Sequence, residues 1–249
     1  MNRKNKELDC SIIIKGFSVL KIKRYDGNFF IENRFHSFAS LMDALTKILT
    51  VAVDSFRQFG FKTITMDDIA RKAGISKKTL YQHFTSKPDV VMAAMSWHQE
   101  HVQAFMIDII KESSNAVEGM VRVNALMSQM FRQINPLAML ELQRFFPEVY
   151  AMFRKRLLEK DISAIRDNIL RGMEEGLYRQ GMDADLLARY RVESCLILFQ
   201  PDSLLTGTHH PHLVSTEVME NFLYGIMTSK GEKLYQKYSE EYLKEVPKI

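Results

Sequence analysis

Six residues within seven positions offer the richest chemistry in this chain. Lys77, Lys78, Thr79, Tyr81, Gln82 and His83 combine two cations, two hydroxyls, an amide and an imidazole. Groups of these types bind phosphate oxygens and read base edges in a major groove. Leu80 and Phe84, four apart, claim the inward face of the same short helix, so the polar set is left outward. Thr65 upstream and Lys87 downstream add a hydroxyl and a cation at the ends of the segment. Lys77 and Lys78 also stand at a helix start, where the dipole itself attracts phosphate.

Two short helices and a tight turn must hold that surface. Thr65 is an N-cap, with Asp67 and Asp68 in the first turn behind it. Ile69, Ala70 and Ala73 form the apolar side, and Gly74 suits the strained position that ends the helix. Ile75 plugs the space between the two helices and Ser76 caps the second. The pattern is a helix-turn-helix. Ahead of it, Leu41, Leu45, Ile48, Leu49, Ala52, Phe56 and Phe59 recur at three- and four-residue steps, from a Ser40 cap to a Gly60 stop. A three-helix head over residues 41–88 is predicted.

The order and spacing of Gly60-Phe61, Thr65, Ile69-Ala70, Ala73-Gly74-Ile75-Ser76, Thr79-Leu80-Tyr81, Phe84 and Lys87 resemble the DNA-binding segment of TetR-family transcriptional regulators. The close resemblance covers about residues 44–91. Lys78 stands where a small residue is frequent, and Pro88 where an acid is commoner; neither breaks the motif. The resemblance implies an all-α homodimer, with an N-terminal helix-turn-helix DNA-binding domain and a larger helical domain for ligand binding and dimerisation. It implies a regulator, a repressor in most cases, released from a palindromic operator by a small-molecule effector. By position it makes Thr65, Tyr81 and Lys87 phosphate contacts and sets Lys77, Lys78, Thr79 and His83 on or at the start of the recognition helix. Gln82 joins them as an outward residue.

Residues 89–249 read as a helical body. Pro88 opens a helix, a second runs from Val121 to Phe131, and a long one runs from Pro147 to about Gly176. Asp183 caps a helix that closes before Pro201, and residues 201–214 read as a loop. Thr216 caps a last strong helix, and the charged tail from Glu232 to Lys248 is expected to fray. Leu196, Phe199, Val218, Met219, Phe222, Leu223, Gly225 and Ile226 are the candidate dimer interface, although a core helix of one subunit reads much the same. Met127, Met130, Phe131, Phe146 and Tyr150 are candidate effector contacts that core packing alone also explains.

Charge divides along the chain. The formal net charge of +4 splits into +4 over residues 1–40, +3 over 41–90 and −3 over 91–249. A basic first third fits a polyanionic partner, double-stranded DNA above all. Residues 1–40 form an extension, expected to be poorly ordered; two short strands around Asp26-Gly27-Asn28, or a basic arm on DNA, are the other readings. Cys10 and Cys195 lie far apart and imply neither a disulfide framework nor a cysteine metal site. No apolar run reaches the ~18 residues of a membrane span, so a cytoplasmic protein without a membrane partner is expected.

Enzymatic chemistry finds no support. A Gly-rich phosphate loop, a nucleophile elbow and a deaminase His/Cys pattern are all missing from the sequence. No catalytic residue, metal or cofactor is therefore expected. Two alternatives stay open: a helix-turn-helix protein that answers to no ligand, and a metal-dependent enzyme using His98 and His101, three apart on a helix. His209, His210 and His212 form a second histidine group, in the predicted loop.

Overall fold

The computed structural model describes residues 10–14, 17–25, 28–32, 44–132, 134–135, 137–197, 200 and 210–243. Contacts divide the chain after Ala44 into two units. The first holds three strands, β1 Cys10–Ile14, β2 Phe17–Tyr25 and β3 Asn28–Glu32, in an antiparallel sheet of order β1-β2-β3. Cys10 pairs with Ile22, and a register shift between Ile12 and Ile14 brings Ile14 opposite Phe17. Tyr25 pairs with Asn28, leaving only the Asp-Gly pair between β2 and β3 in sequence. This extension carries one strand more than the pair the sequence suggested, because the β-branched run at 10–14 joins the same sheet.

From Ala44 onward, the regular elements among the described residues are helices. They are α1 Ala44–Phe59, α2 Met66–Ala73, α3 Lys77–His83, α4 Lys87–Glu112, α5 Ala116–Arg132, α6 Ala138–Phe145, α7 Pro147–Arg156, α8 Ile162–Glu174, α9 Ala184–Leu196, α10 Pro211–Ile226 and α11 Ser229–Tyr242. A π-helical turn, Leu157–Asp161, joins α7 to α8, so the predicted long helix is one rod with a wide turn in it. Ser40 and Leu41, expected to open α1, lie outside the described residues, as do Phe199, Pro201, Gly207 and His209.

Two apolar clusters hold the helices. The front cluster packs Ile48, Ala52 and Phe56 of α1 with Ile69, Leu80, Val91 and Met95, and extends to Phe131, Leu142 and Val149. The rear cluster joins Val117 and Met120 of α5 with Ile169, Tyr178, Val192, Leu196, Phe222 and Leu223. α5 contributes to both and packs against α4, α8, α10 and α11.

Two helix boundaries differ from expectation. α10 starts at Pro211, five residues before Thr216, whose hydroxyl donates to His212 O inside the helix rather than capping its start. Proline suits a first turn because its missing N–H would be unpaired there anyway. The charged tail is also helical as far as Tyr242. Thr228 caps it by accepting from Gly231 N, and Tyr235 and Tyr238 anchor it in the rear cluster.

Candidate nucleic-acid interface

Local hydrogen bonds build the head. Thr65 Oγ1 accepts from Asp68 N at 3.1 Å, and Asp68 Oδ2 accepts from Thr65 N at 3.1 Å, a closed capping box. The Thr65 hydroxyl, which donates to Asp68 Oδ2 at 2.6 Å, and then the Thr65 N–H hold the Asp68 carboxyl below its ordinary range. Gly74, at φ 63°, ends α2 in the left-handed region; its N–H donates to Arg71 O and that of Ile75 to Ala70 O. Only glycine enters this region without a steric cost. Ser76 then caps α3 by accepting from Thr79 N. Leu80 is fully buried and Phe84 nearly so.

The eight expected DNA contacts fall into three groups. Lys78, Tyr81, Gln82 and His83 are exposed on one short helix, Tyr81 at 44%. Lys77 is exposed too, but its ammonium pairs with Asp67 at 2.8 Å, which raises its pKa. Thr65 and Thr79 have their hydroxyls in the two caps, with Thr79 Oγ1 2.8 Å from Ser76 Oγ. Lys87 is the outlier. Its Nζ donates to Lys62 O at 3.1 Å and lies 6.0 Å from the Phe146 ring centre, and burial lowers its pKa.

Lys87 belongs to a junction between head and body that the sequence did not reveal. Glu141 of α6 accepts from Lys62 N at 2.9 Å. Its carboxylate crowds Gly60, where an added Cβ would come within 2.5 Å of Oε2. Arg57 of α1 donates through Nη2 to Met130 O, and Arg57 O accepts from Asn135 N at 2.7 Å. Phe61 meets Phe146 with ring centres 6.1 Å apart. The α1–α2 corner is thereby clamped to residues 130–146. No pattern in the sequence signals this, because each partner is about 75 residues from the other.

The candidate effector residues gather near that clamp. Phe131 is buried in the front cluster, with Met127, Phe146 and Tyr150 packed against it, and Met130 is half-buried with its carbonyl on Arg57. His98 is half-buried, with Arg57 and His101 as electrostatic neighbours, and desolvation first, then repulsion from those two, drives its pKa down to about 4. His101 Nδ1 lies 2.7 Å from Trp97 O, and its ring packs on the indole. Among the described residues no three His, Cys, Asp or Glu side chains are grouped to hold a metal ion. At the π-turn, burial raises the Asp161 carboxyl to about 6, against the Gln103 amide that donates to it.

The candidate dimer residues lie mostly inside the single chain. Leu196, Met219, Phe222, Leu223 and Ile226 are buried in its rear cluster, and half-buried Val218 packs on the front one. Gly225 is exposed, and Phe199 lies outside the described residues. The apolar surface that α9 does present is Leu186 at 63% exposed, Tyr190 at 61% and Ile197, just past its end, at 46%.

A short exposed helix with a cationic, hydrogen-bonding face, set on a capped two-helix frame under a large helical body, defines a helix-turn-helix regulator. Residues 48–94 match the family described as bacterial regulatory proteins, tetR family. The transcriptional repressor KstR2 of Mycobacterium tuberculosis is 27% identical over 150 residues, covering 58% of this chain and 74% of its own. A TetR-family regulator from Agrobacterium tumefaciens superposes with a TM-score of 0.59 at 16% identity, over 74% of this chain and 98% of that one. FadR of Bacillus subtilis, solved with stearoyl-CoA, gives 0.53 at 18% identity, over 73% and 98%. Residues 48–94 are therefore a TetR-type DNA-binding segment within a helix-turn-helix transcriptional regulator. No helix among the described residues is long and apolar enough to cross a membrane.

Proposed function

We propose that this protein is a cytoplasmic repressor, and no enzyme, whose homodimer grips a palindromic operator and releases it when a small molecule enters the body. One observation carries the reading: α3 buries Leu80 and turns Lys78, Tyr81, Gln82 and His83 outward together. Lys78 and Tyr81 meet phosphate, while Gln82 and His83 face the base edges. Thr65, Lys77 and Thr79 act through caps and the Asp67 pair, which orient α3. Lys87 serves the head–body clamp.

A single α3 reads too few base pairs for specific binding, so two copies must be held one helical turn apart. The face that supports pairing is the exposed stripe of Leu186 and Tyr190 on α9 and Ile197 just past its end, together with Tyr224 and Gly225 of α10. KstR2 is named a repressor, and FadR was solved with an acyl thioester of coenzyme A. Both names favour repression under ligand control. An effector that prefers the DNA-incompetent arrangement shifts the population away from the operator.

Duplexes selected from a random pool, titrated by fluorescence anisotropy across salt concentrations, test the reading. Lys78→Ala should weaken binding to every duplex and reduce the salt slope by about one. If wild type and variant share one slope, α3 does not lie on the phosphates. Leu186 and Tyr190 both changed to Glu should yield monomers by light scattering; an unchanged dimer would remove the α9 face from the interface.

A further inference from the structure

The inner face of α5 is interrupted in a way that packing does not explain. Met120, Asn124, Ser128 and Phe131 follow at steps of four, four and three, so they share one stripe of the helix. Met120 belongs to the rear apolar cluster and Phe131 to the front one. Between them Asn124 is 1% exposed and Ser128 fully buried. Among the described residues, Asn124 Nδ2, Asn124 Oδ1 and Ser128 Oγ all lack a hydrogen-bond partner. Most buried polar groups in folded proteins are paired, and an orphan destabilises the fold by more than its bond would have added. Three such atoms on adjacent turns of one helix concentrate hydrogen-bonding capacity, two acceptors and an amide donor among them, inside an otherwise apolar stripe.

We infer that Asn124 and Ser128 are the polar recognition pair of the effector site, and that the effector is a largely hydrocarbon molecule bearing one uncharged hydroxyl or carbonyl group. The inference rests on the effector-controlled reading above and names the chemical class that reading leaves open. The Asn124 amide donates to the ligand oxygen. Its carbonyl accepts from a ligand hydroxyl, and the Ser128 hydroxyl donates to the ligand oxygen. Neither side chain can neutralise a charge, and burying an uncompensated ion here costs far more than burying a neutral oxygen. Two methionines and a phenylalanine of the same helix, Met120, Met127 and Phe131, suit the hydrocarbon portion because thioethers adapt to irregular apolar shapes.

The test compares the full-length protein with the double variant N124L/S128A. Removing both orphans should leave DNA binding unchanged and keep or raise the thermal midpoint of the ligand-free protein, since apolar groups of similar shape cost nothing there. Decan-1-ol and decan-2-one are the neutral probes; decanoate and decylamine are the charged ones. The neutral pair should raise the wild-type midpoint and bind the double variant at least tenfold more weakly, while the charged pair should bind neither protein well. A midpoint several degrees lower in the variant would overturn the inference, because the two groups would then have partners in the folded chain. Equal binding of the neutral probes by both proteins, stronger binding of either charged probe, or no binding by any of the four would also overturn it. Failure of the regulator reading would look different: both proteins would ignore duplex DNA whatever the probes did.

Discussion

His98→Phe isolates one electrostatic term at the junction of head and body. Burial, Arg57 and His101 hold the His98 imidazole neutral, with a pKa lowered from 6.5 to about 4. The folded protein therefore binds fewer protons than the unfolded chain between those values, and stability falls as pH drops through that window. A shift of this size corresponds to about 3 kcal/mol in all, of which about 2 kcal/mol is lost between pH 7 and pH 4.5. Phenylalanine keeps a ring of similar shape and cannot charge. Urea unfolding of both proteins at pH 7, 6, 5 and 4.5 should give a difference that grows in favour of the variant by about that amount. The difference is the right quantity, because the raised Asp161 carboxyl pulls the other way in the wild-type curve. Stability curves that stay parallel down to pH 4.5 would refute the placement of a neutral, desolvated imidazole beside Arg57.

Three further outcomes follow from the same contacts. Asp161→Asn should stabilise the protein by about 3 kcal/mol at pH 7.5 and by only about 1 kcal/mol at pH 4.5, because a carboxyl with a raised pKa favours the fold only while protonated; chemical denaturation at the two pH values checks this. Thr65→Ala opens the capping box and should cost about 1 kcal/mol, seen as a lower urea midpoint together with weaker operator binding. Glu141→Ala frees Lys62 N and loosens the hold of α6 on the α1–α2 corner. It should weaken operator binding severalfold and leave the salt slope unchanged, since it removes no phosphate contact; an altered slope would contradict the clamp.

The head was legible in the sequence because its determinants are local. The Thr65–Asp68 box, the Gly74 turn and the Ser76 cap each act over three to five residues, so side-chain type and spacing suffice to specify them. The inward pair Leu80 and Phe84 follows from helical period alone. Periodicity also located most helices of the body, though not α6 or α11, and it was silent on what each apolar stripe faces. Phe222 and Leu223 would look the same whether they met a second chain or their own α5 and α9, and only the fold, by burying them within one chain, assigned them to the core. Lys87 reads as a phosphate contact in the sequence, and only the fold supplies Lys62 O, 25 residues away, as an acceptor for its ammonium. Glu141, Arg57, Asn124 and Ser128 carried no signal at all. Their roles depend on partners brought close, or withheld, by tertiary packing, and a linear pattern cannot encode the distance between side chains that sequence keeps far apart.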